Sequence, residues 1–151
     1  MQSLLVFVHV SGVVVWVGGM AFAHFCLRPA AVESLDPPLR LALWRGVLRR
    51  FFPIVSAAVA AIVVSGVSMY FRVAVGTVPA GWYWMFAVGI VMAVIYLYIL
   101  LAIHPRFAAC VDARDWPAAG AQLARIRRLV GINLTLGVLT IAAATLAVGW
   151  G

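Results

Sequence analysis

The chain has 151 residues, of which 66% are apolar and only 10% are charged, and its mean hydropathy is +1.12. A soluble domain is about half apolar and a quarter charged, so this composition excludes a water-soluble enzyme. The net charge of +7 comes from eleven arginines and four acids, without any lysine. The two cysteines, Cys26 and Cys110, form no CxxC pair and indicate no disulfide framework.

Four uncharged apolar segments predict four membrane-spanning helices, at about 4–27, 51–71, 82–104 and 129–150. Each is close to the ~20 residues that a helix needs to cross the hydrocarbon core. A helix also satisfies its own backbone hydrogen bonds in lipid. The first segment lacks a basic leader and a small-residue cleavage site, so we interpret it as a retained helix and not a signal peptide. The predicted fold is one all-α integral membrane domain over 1–151, an antiparallel four-helix bundle.

The arginines indicate how the bundle is oriented. Ten of the eleven lie in the segments 28–50 and 105–128, which four antiparallel crossings place on the same side, and Arg72 lies alone on the other. By the positive-inside rule the arginine-rich side is cytoplasmic, and both termini lie on the non-cytoplasmic side. The basic charge is thereby assigned to orientation and to contact with anionic lipid in the bilayer. No nucleic-acid partner is expected.

The two arginine-rich segments are predicted to be helical extensions of the spans. Residues 39–50 contain no helix breaker except Gly46 and lead directly into the second span. Asp115, followed by Trp116 and Pro117, is typical of a helix start, with a capping residue and a proline in the first turn. Aromatic residues toward the other side are interpreted as a membrane-interface belt: Trp82, Tyr83, Trp84 and Trp150.

The first span carries the side chains that indicate chemistry. A histidine within a span is expected to face the bundle interior and to be functional. His9 and His24 lie about 22 Å apart along a helix axis, so they cannot share one metal ion. The alternative is that both are interfacial histidines that bind no ligand and only pack against their neighbours. On a helical wheel one stripe contains His9, Val13, Trp16, Met20 and His24, and beside it Gly12, Gly19 and Ala23 predict a close helix contact.

The third and fourth spans add further candidates. Met92 lies on a methionine-bearing face that could be adaptable packing or a source of ligands. His104 is predicted to end the third helix just before Pro105, where it either pairs with His24 or is an unrelated surface histidine. Asn133 in the fourth span is interpreted as an interhelical hydrogen-bonding residue.

Several chemistries lack the residues that they need. The spans contain no Asp, Glu, Lys or Arg, and the chain has no HExxH motif, no Ser-His-Asp set and no glycine-rich phosphate loop. Hydrolytic or nucleotide-driven catalysis is therefore unsupported, and an enzyme is not the favoured reading. The remaining donors are histidine, methionine and Cys26, which suit copper, while histidine also suits haem iron.

Three stretches resemble a known family. HVSGVVVWVGGMAFAHFCLRPAA (9–31) is similar to the first helix of CopD-type copper-resistance membrane domains, and RRFFPIVSAAVAAIVVSG (49–66) and DWPAAGAQLARIRRLVGINLTLG (115–137) look like later helices of small stand-alone members. The resemblance implies a four-helix unit in the bacterial inner membrane that moves copper toward the cytoplasm, with a periplasmic copper donor. The residues that match its first-helix pattern are His9, Trp16, Gly18, Gly19, His24 and Pro29.

Three functions stay open at this point. The leading hypothesis is a copper-handling membrane protein with His9, Met20 and His24 as metal ligands. His104 and Met92 are additional candidate ligands for a metal or for haem. The alternative is a redox protein with haem b bound by His24 or His9, since the chain also bears a weaker similarity to HemJ-type haem-containing oxidases and could meet a redox partner. The third is a scaffold protein whose stripe only packs. The sequence leaves open whether the bundle forms a homodimer through the glycine face.

Overall fold

Four long helices make up the part of the chain that the computed structural model describes, residues 2–72 and 80–147. They run over Gln2–Ser34, Pro37–Tyr70, Gly81–Asp112 and Trp116–Ala147, and each is long and apolar enough to cross a membrane. The described ranges contain no strand, which confirms the all-α prediction. One sequence prediction lies outside them, the interfacial role of Trp150.

The bundle is antiparallel, as predicted. Along the first helix, His9 meets Ile62, whereas Gly19 meets Phe51, so residue numbers rise in one helix as they fall in the other. The third and fourth helices pack together in the same way, and the first helix also contacts the fourth. Two short connections, 35–36 and 113–115, make neighbouring helices reverse direction.

The two arginine-rich segments are helical, which confirms the sequence prediction. The second helix begins at Pro37, where a proline costs nothing because first-turn amides have no partner within the helix. The fourth helix begins at Trp116, and Asp115 Oδ1 accepts a hydrogen bond from the Ala118 amide at 3.1 Å. This is the capping interaction that the residue types predicted.

The prediction that the third helix ends at His104 is wrong. The helix continues through Pro105 to Asp112, because a π-helical turn over Ile99–Ile103 comes directly before the proline. In this turn the His104 amide donates to the Ile99 carbonyl, five residues back instead of four. A proline can neither donate to the carbonyl four residues earlier nor fit against it, and a wider turn accommodates both.

The first helix also contains a π-helical turn before a proline. A π-helical turn over Ala23–Leu27 comes directly before Arg28 and Pro29, and the helix then continues to Ser34. The Arg28 amide donates to the Ala23 carbonyl, again five residues back. His24 therefore lies inside one π-helical turn, and His104 follows the other.

The outer surface of the bundle is apolar. Phe7, Phe25, Phe71 and Leu101 are each at least 67% exposed, which is typical of side chains that face lipid instead of water. Tyr83 and Trp84 are also exposed, as the predicted interface belt requires. The core is a thin central cluster that includes Trp16, Met20 and Met92.

All ten arginines of the segments 28–50 and 105–128 lie at what we call the arginine-rich end of the bundle. Arg45 from the second helix forms an ion pair with Asp112 of the third, at 2.9 Å between Nη2 and Oδ2. The pair is partly exposed, and such pairs contribute about 0–1 kcal/mol. This ion pair therefore adds little to the folding stability of the bundle.

The arginine asymmetry predicts a definite topology. A reporter fused after Gly151 should be active outside the cytoplasm, and one inserted next to Arg114 should be active inside. Arg114 suits the insertion because it lies in the turn between the third and fourth helices, with φ at +57°. The opposite pattern of activities would reverse the side on which every histidine lies.

Candidate functional site

The stripe predicted on the first helix faces the bundle interior. Trp16 and Met20 are 5% and 3% exposed, while His9 and His24 are half-buried. The two histidines contact different neighbours: His9 lies against the second helix and His24 against the fourth. The stripe is therefore a line of donors along the inside of the first helix and not a cluster.

The glycine face beside the stripe makes the predicted close contact, and its partner is the second helix. A Cβ atom on Gly12 would lie 2.7 Å from Ile62 Cγ1 and 3.0 Å from the Ala58 carbonyl oxygen. A Cβ atom on Gly19 would lie 2.5 Å from Phe51 Cζ. Because this face is occupied within the chain, a homodimer would need another surface.

His9 is held by two acceptors on the second helix. Its Nδ1 lies 3.1 Å from the Ile62 carbonyl oxygen and 3.1 Å from Ser65 Oγ. Ser65 is 1% exposed and donates its own hydroxyl proton to the Ala61 carbonyl at 2.5 Å, so its oxygen can accept from His9. We therefore assign the proton to Nδ1, which leaves the Nε2 lone pair for another ligand. Metal-binding histidines are commonly oriented in this way.

Gly66 makes room for the His9 ring. A Cβ atom at this position would lie 3.3 Å from His9 Cε1, closer than most side chains tolerate. The sequence analysis did not single out Ser65 or Gly66. The available signal was a serine within an apolar span, next to a glycine and at the depth of His9.

His24 lies in the π-helical turn of the first helix. Its Cε1 is 3.9 Å from the position that a Cβ atom on Gly131 would take, so a glycine of the fourth helix faces the ring. On its other side the ring packs edge-to-face with Phe25, at 4.9 Å between ring centroids. The wider turn thus directs an imidazole toward the fourth helix.

His104 occupies a different environment from His24. Its ring packs edge-to-face on Phe52 of the second helix at 4.7 Å, and its Nε2 is buried without a hydrogen-bond partner. His24 lies beside the fourth helix instead, so the structure gives the two rings different neighbours. Among the described residues, no three His, Cys, Asp or Glu side chains come together as a metal-binding group.

The two candidate methionines are buried in the core. Met92 is 4% exposed, and its Cε lies with Val17 of the first helix around the position of a Cβ atom on Gly137. Asn133 Nδ2 donates to the Met92 carbonyl oxygen at 3.0 Å. This bond confirms the predicted interhelical role of Asn133, which joins the fourth helix to the third.

Tyr96 links three helices, a role that sequence reasoning missed. Its ring packs edge-to-face with Trp16 of the first helix at 5.9 Å. Its hydroxyl donates to the Phe52 carbonyl at 3.1 Å and lies 2.7 Å from Ser56 Oγ on the second helix. Trp16 is thereby fixed in the middle of the bundle, between His9 and Met20 in the stripe.

The fold and its donor side chains together define a multi-pass helical membrane protein. Its interior carries imidazole and thioether groups in a line along the first helix. The family model of copper resistance protein D (CopD) matches residues 45–147, and the chain belongs to this family. It is thus a copper-resistance-related membrane protein. Comparisons with curated proteins and with solved structures give no significant match.

The family match begins after the stripe, at Arg45 within the second helix, and covers the third and fourth helices. It includes the stretches 49–66 and 115–137, which carried the resemblance in the sequence, whereas 9–31 lies before it. The match concerns copper and gives no support for haem b. The side chains fit copper chemically, because imidazole and thioether groups are soft or borderline ligands that suit Cu(I).

Proposed function

We propose that this protein binds copper and passes it through the bundle along the stripe of the first helix. In this proposal His9 receives the ion at the end away from the arginines, Met20 holds it within the bundle, and His24 releases it near the arginine-rich end. The arrangement of His9 carries the proposal. Two acceptors on the second helix fix its Nδ1, and its Nε2 is left free to bind a metal ion.

The donor side chains of the stripe lie one after another along the helix, and this arrangement favours the passage of copper over its storage. An ion that has to move on must be bound strongly enough to enter and weakly enough to leave. Separate donors provide such sites, whereas a closed cage of three or four ligands would retain the ion. His9 and Met20 are about 16 Å apart along the axis. Trp16 lies between them, and its indole face could hold a cation on the way.

The resemblance to CopD-type domains implies a bacterial inner membrane, where the ion would come from a periplasmic copper donor. The predicted topology places His9 toward that side and His24 toward the cytoplasm. A cytoplasmic side rich in arginine would repel a cation, so release from His24 requires an acceptor there. The reporter fusions after Gly151 and next to Arg114 therefore also test the direction in which copper would pass.

Substitution of Ser65 tests whether its hydrogen bond to His9 Nδ1 supports copper binding by His9. In Ser65→Ala the Ile62 carbonyl alone would hold Nδ1, and we expect copper binding to weaken by about 10- to 100-fold, the usual effect of removing an outer-shell partner of a metal ligand. The matched control is Ser68→Ala on the same helix. Ser68 makes the same kind of bond, to the Val64 carbonyl at 2.7 Å, but no hydrogen bond to a histidine.

The measurement is a copper(I) titration of the purified variants against a competing chelator, with the thermal midpoint recorded to show that both are folded. Equal copper affinity in Ser65→Ala, Ser68→Ala and the wild type would contradict the proposal that Ser65 orients His9 as a copper ligand.

A further inference from the structure

A cleft lies at the arginine-rich end, between the first turns of the second and fourth helices. Its volume is about 290 Å³, close to the lower limit of about 300 Å³ for small-molecule sites. It is remote from the stripe in sequence and shares none of its residues. The second helix contributes Pro37, Arg40 and Leu41, and the fourth contributes Trp116, Gly120, Leu123 and Arg127.

Three arginines concentrate positive charge at this cleft. Arg40 and Arg127 line it and are half-buried, and Arg28 lies close enough for its charge to act on Arg127. Within residues 2–72 and 80–147 the one ion pair is that of Arg45 and Asp112, so these three guanidinium groups have no carboxylate partner. Partly buried charges of the same sign repel one another, and a bound anion relieves both the repulsion and the desolvation cost.

The rest of the cleft is apolar. Leu41 and Leu123, which are 5% and 2% exposed, line it together with the half-buried Trp116. Gly120 leaves space, because a Cβ atom there would meet nothing within 4 Å. A cleft lined by two arginines and by apolar side chains matches a molecule that carries an anionic group on a hydrocarbon body. Tryptophan is common where a protein meets the lipid headgroups.

We propose that this cleft binds the phosphate headgroup of an anionic phospholipid. Arg40 and Arg127 donate to the phosphate oxygens, as arginine does in charge-assisted bonds, and the glycerol and first acyl carbons lie against Leu123 and Trp116. Basic pockets between transmembrane helices are a known way to hold such headgroups. The lipid would fix the second helix against the fourth at the arginine-rich end.

The test is native mass spectrometry of the detergent-purified full chain with phosphatidylglycerol or with phosphatidylcholine of the same acyl chains. Wild type should retain one phosphatidylglycerol in preference to phosphatidylcholine. Arg40→Gln with Arg127→Gln should weaken that retention by about 30-fold, because each arginine near anionic lipid contributes a factor of about five. The matched control, Arg125→Gln with Arg128→Gln, removes the same charge from exposed positions of the fourth helix and should retain the lipid.

A second variant separates the cleft from general charge. Gly120→Leu keeps every arginine and fills open space, so the chain should fold as before while lipid retention falls several-fold. The proposal would be overturned by equal retention of both lipids, by equal loss in the two double variants, or by unchanged retention in Gly120→Leu. Displacement by inorganic phosphate at the same concentration as the lipid would also overturn it, because it would show that the hydrocarbon body contributes nothing.

Discussion

Gly12→Leu is expected to disrupt the bundle more than the same substitution at Gly18 or Gly19. A Cβ atom at Gly12 already comes within 3.0 Å of the Ala58 carbonyl oxygen, which belongs to the backbone of the second helix and cannot rotate away. The remaining leucine atoms would push the first two helices apart. Overpacking of this kind costs about 1–3 kcal/mol and occasionally more, and we expect the upper end because the obstacle is backbone.

The same helix offers a matched control. A Cβ atom on Gly18 would meet nothing within 4 Å, so Gly18→Leu adds the same side chain on a free surface and should leave the bundle intact. The measurement is the thermal midpoint and the monodispersity of the purified variants in detergent. Equal thermal midpoints for Gly12→Leu and Gly18→Leu would contradict the packing of the first helix on the second. Gly19→Leu should fall between them, since the Phe51 ring that it meets can turn aside.

The second large effect is expected for the donors of the stripe. His9→Ala and His24→Ala should each weaken copper binding by more than the about 10- to 100-fold that an outer-shell partner contributes, because each removes a ligand itself. The bundle should remain assembled, since the association of the helices depends on the glycine face and not on imidazole. Met20→Leu should have an intermediate effect, because it keeps volume and apolarity but removes the sulfur. The measurement is copper content after purification, together with copper accumulation in cells.

Controls for the stripe come from the same chain. Met69→Leu makes the same chemical change as Met20→Leu on the second helix, outside the stripe, and should leave copper content unchanged. His104→Ala and Met92→Leu test the additional ligands. A loss of copper in either as large as in His24→Ala would extend the path beyond the first helix. Unchanged copper content in Met20→Leu would remove the methionine from the path.

The features that depend on local sequence pattern could be predicted from the sequence. The start of the fourth helix follows from Asp115, whose carboxylate caps it, and the contact of Gly12 and Gly19 follows from small residues on one helical face. The inward direction of the stripe follows from the cost of a polar side chain in lipid. Each of these inferences uses residues within a few helical turns.

Two features could not be predicted because they depend on how distant segments meet. A proline after an apolar run normally indicates a helix end, and nothing local to Pro105 says that a π-helical turn over Ile99–Ile103 will carry the helix past it. The bond from His9 to Ser65 joins residues 56 positions apart. It exists only because the antiparallel register of the first two helices brings them to the same depth.

Copper content and the visible spectrum of the purified protein, measured for the wild type, His9→Ala and His24→Ala, test the central claim most directly. We predict that the wild type binds copper without a Soret band and that both variants lose copper while they remain folded. A Soret band that disappears with either histidine would mean that the stripe holds haem b. Native copper content in both variants would mean that the stripe only packs, as in a scaffold protein.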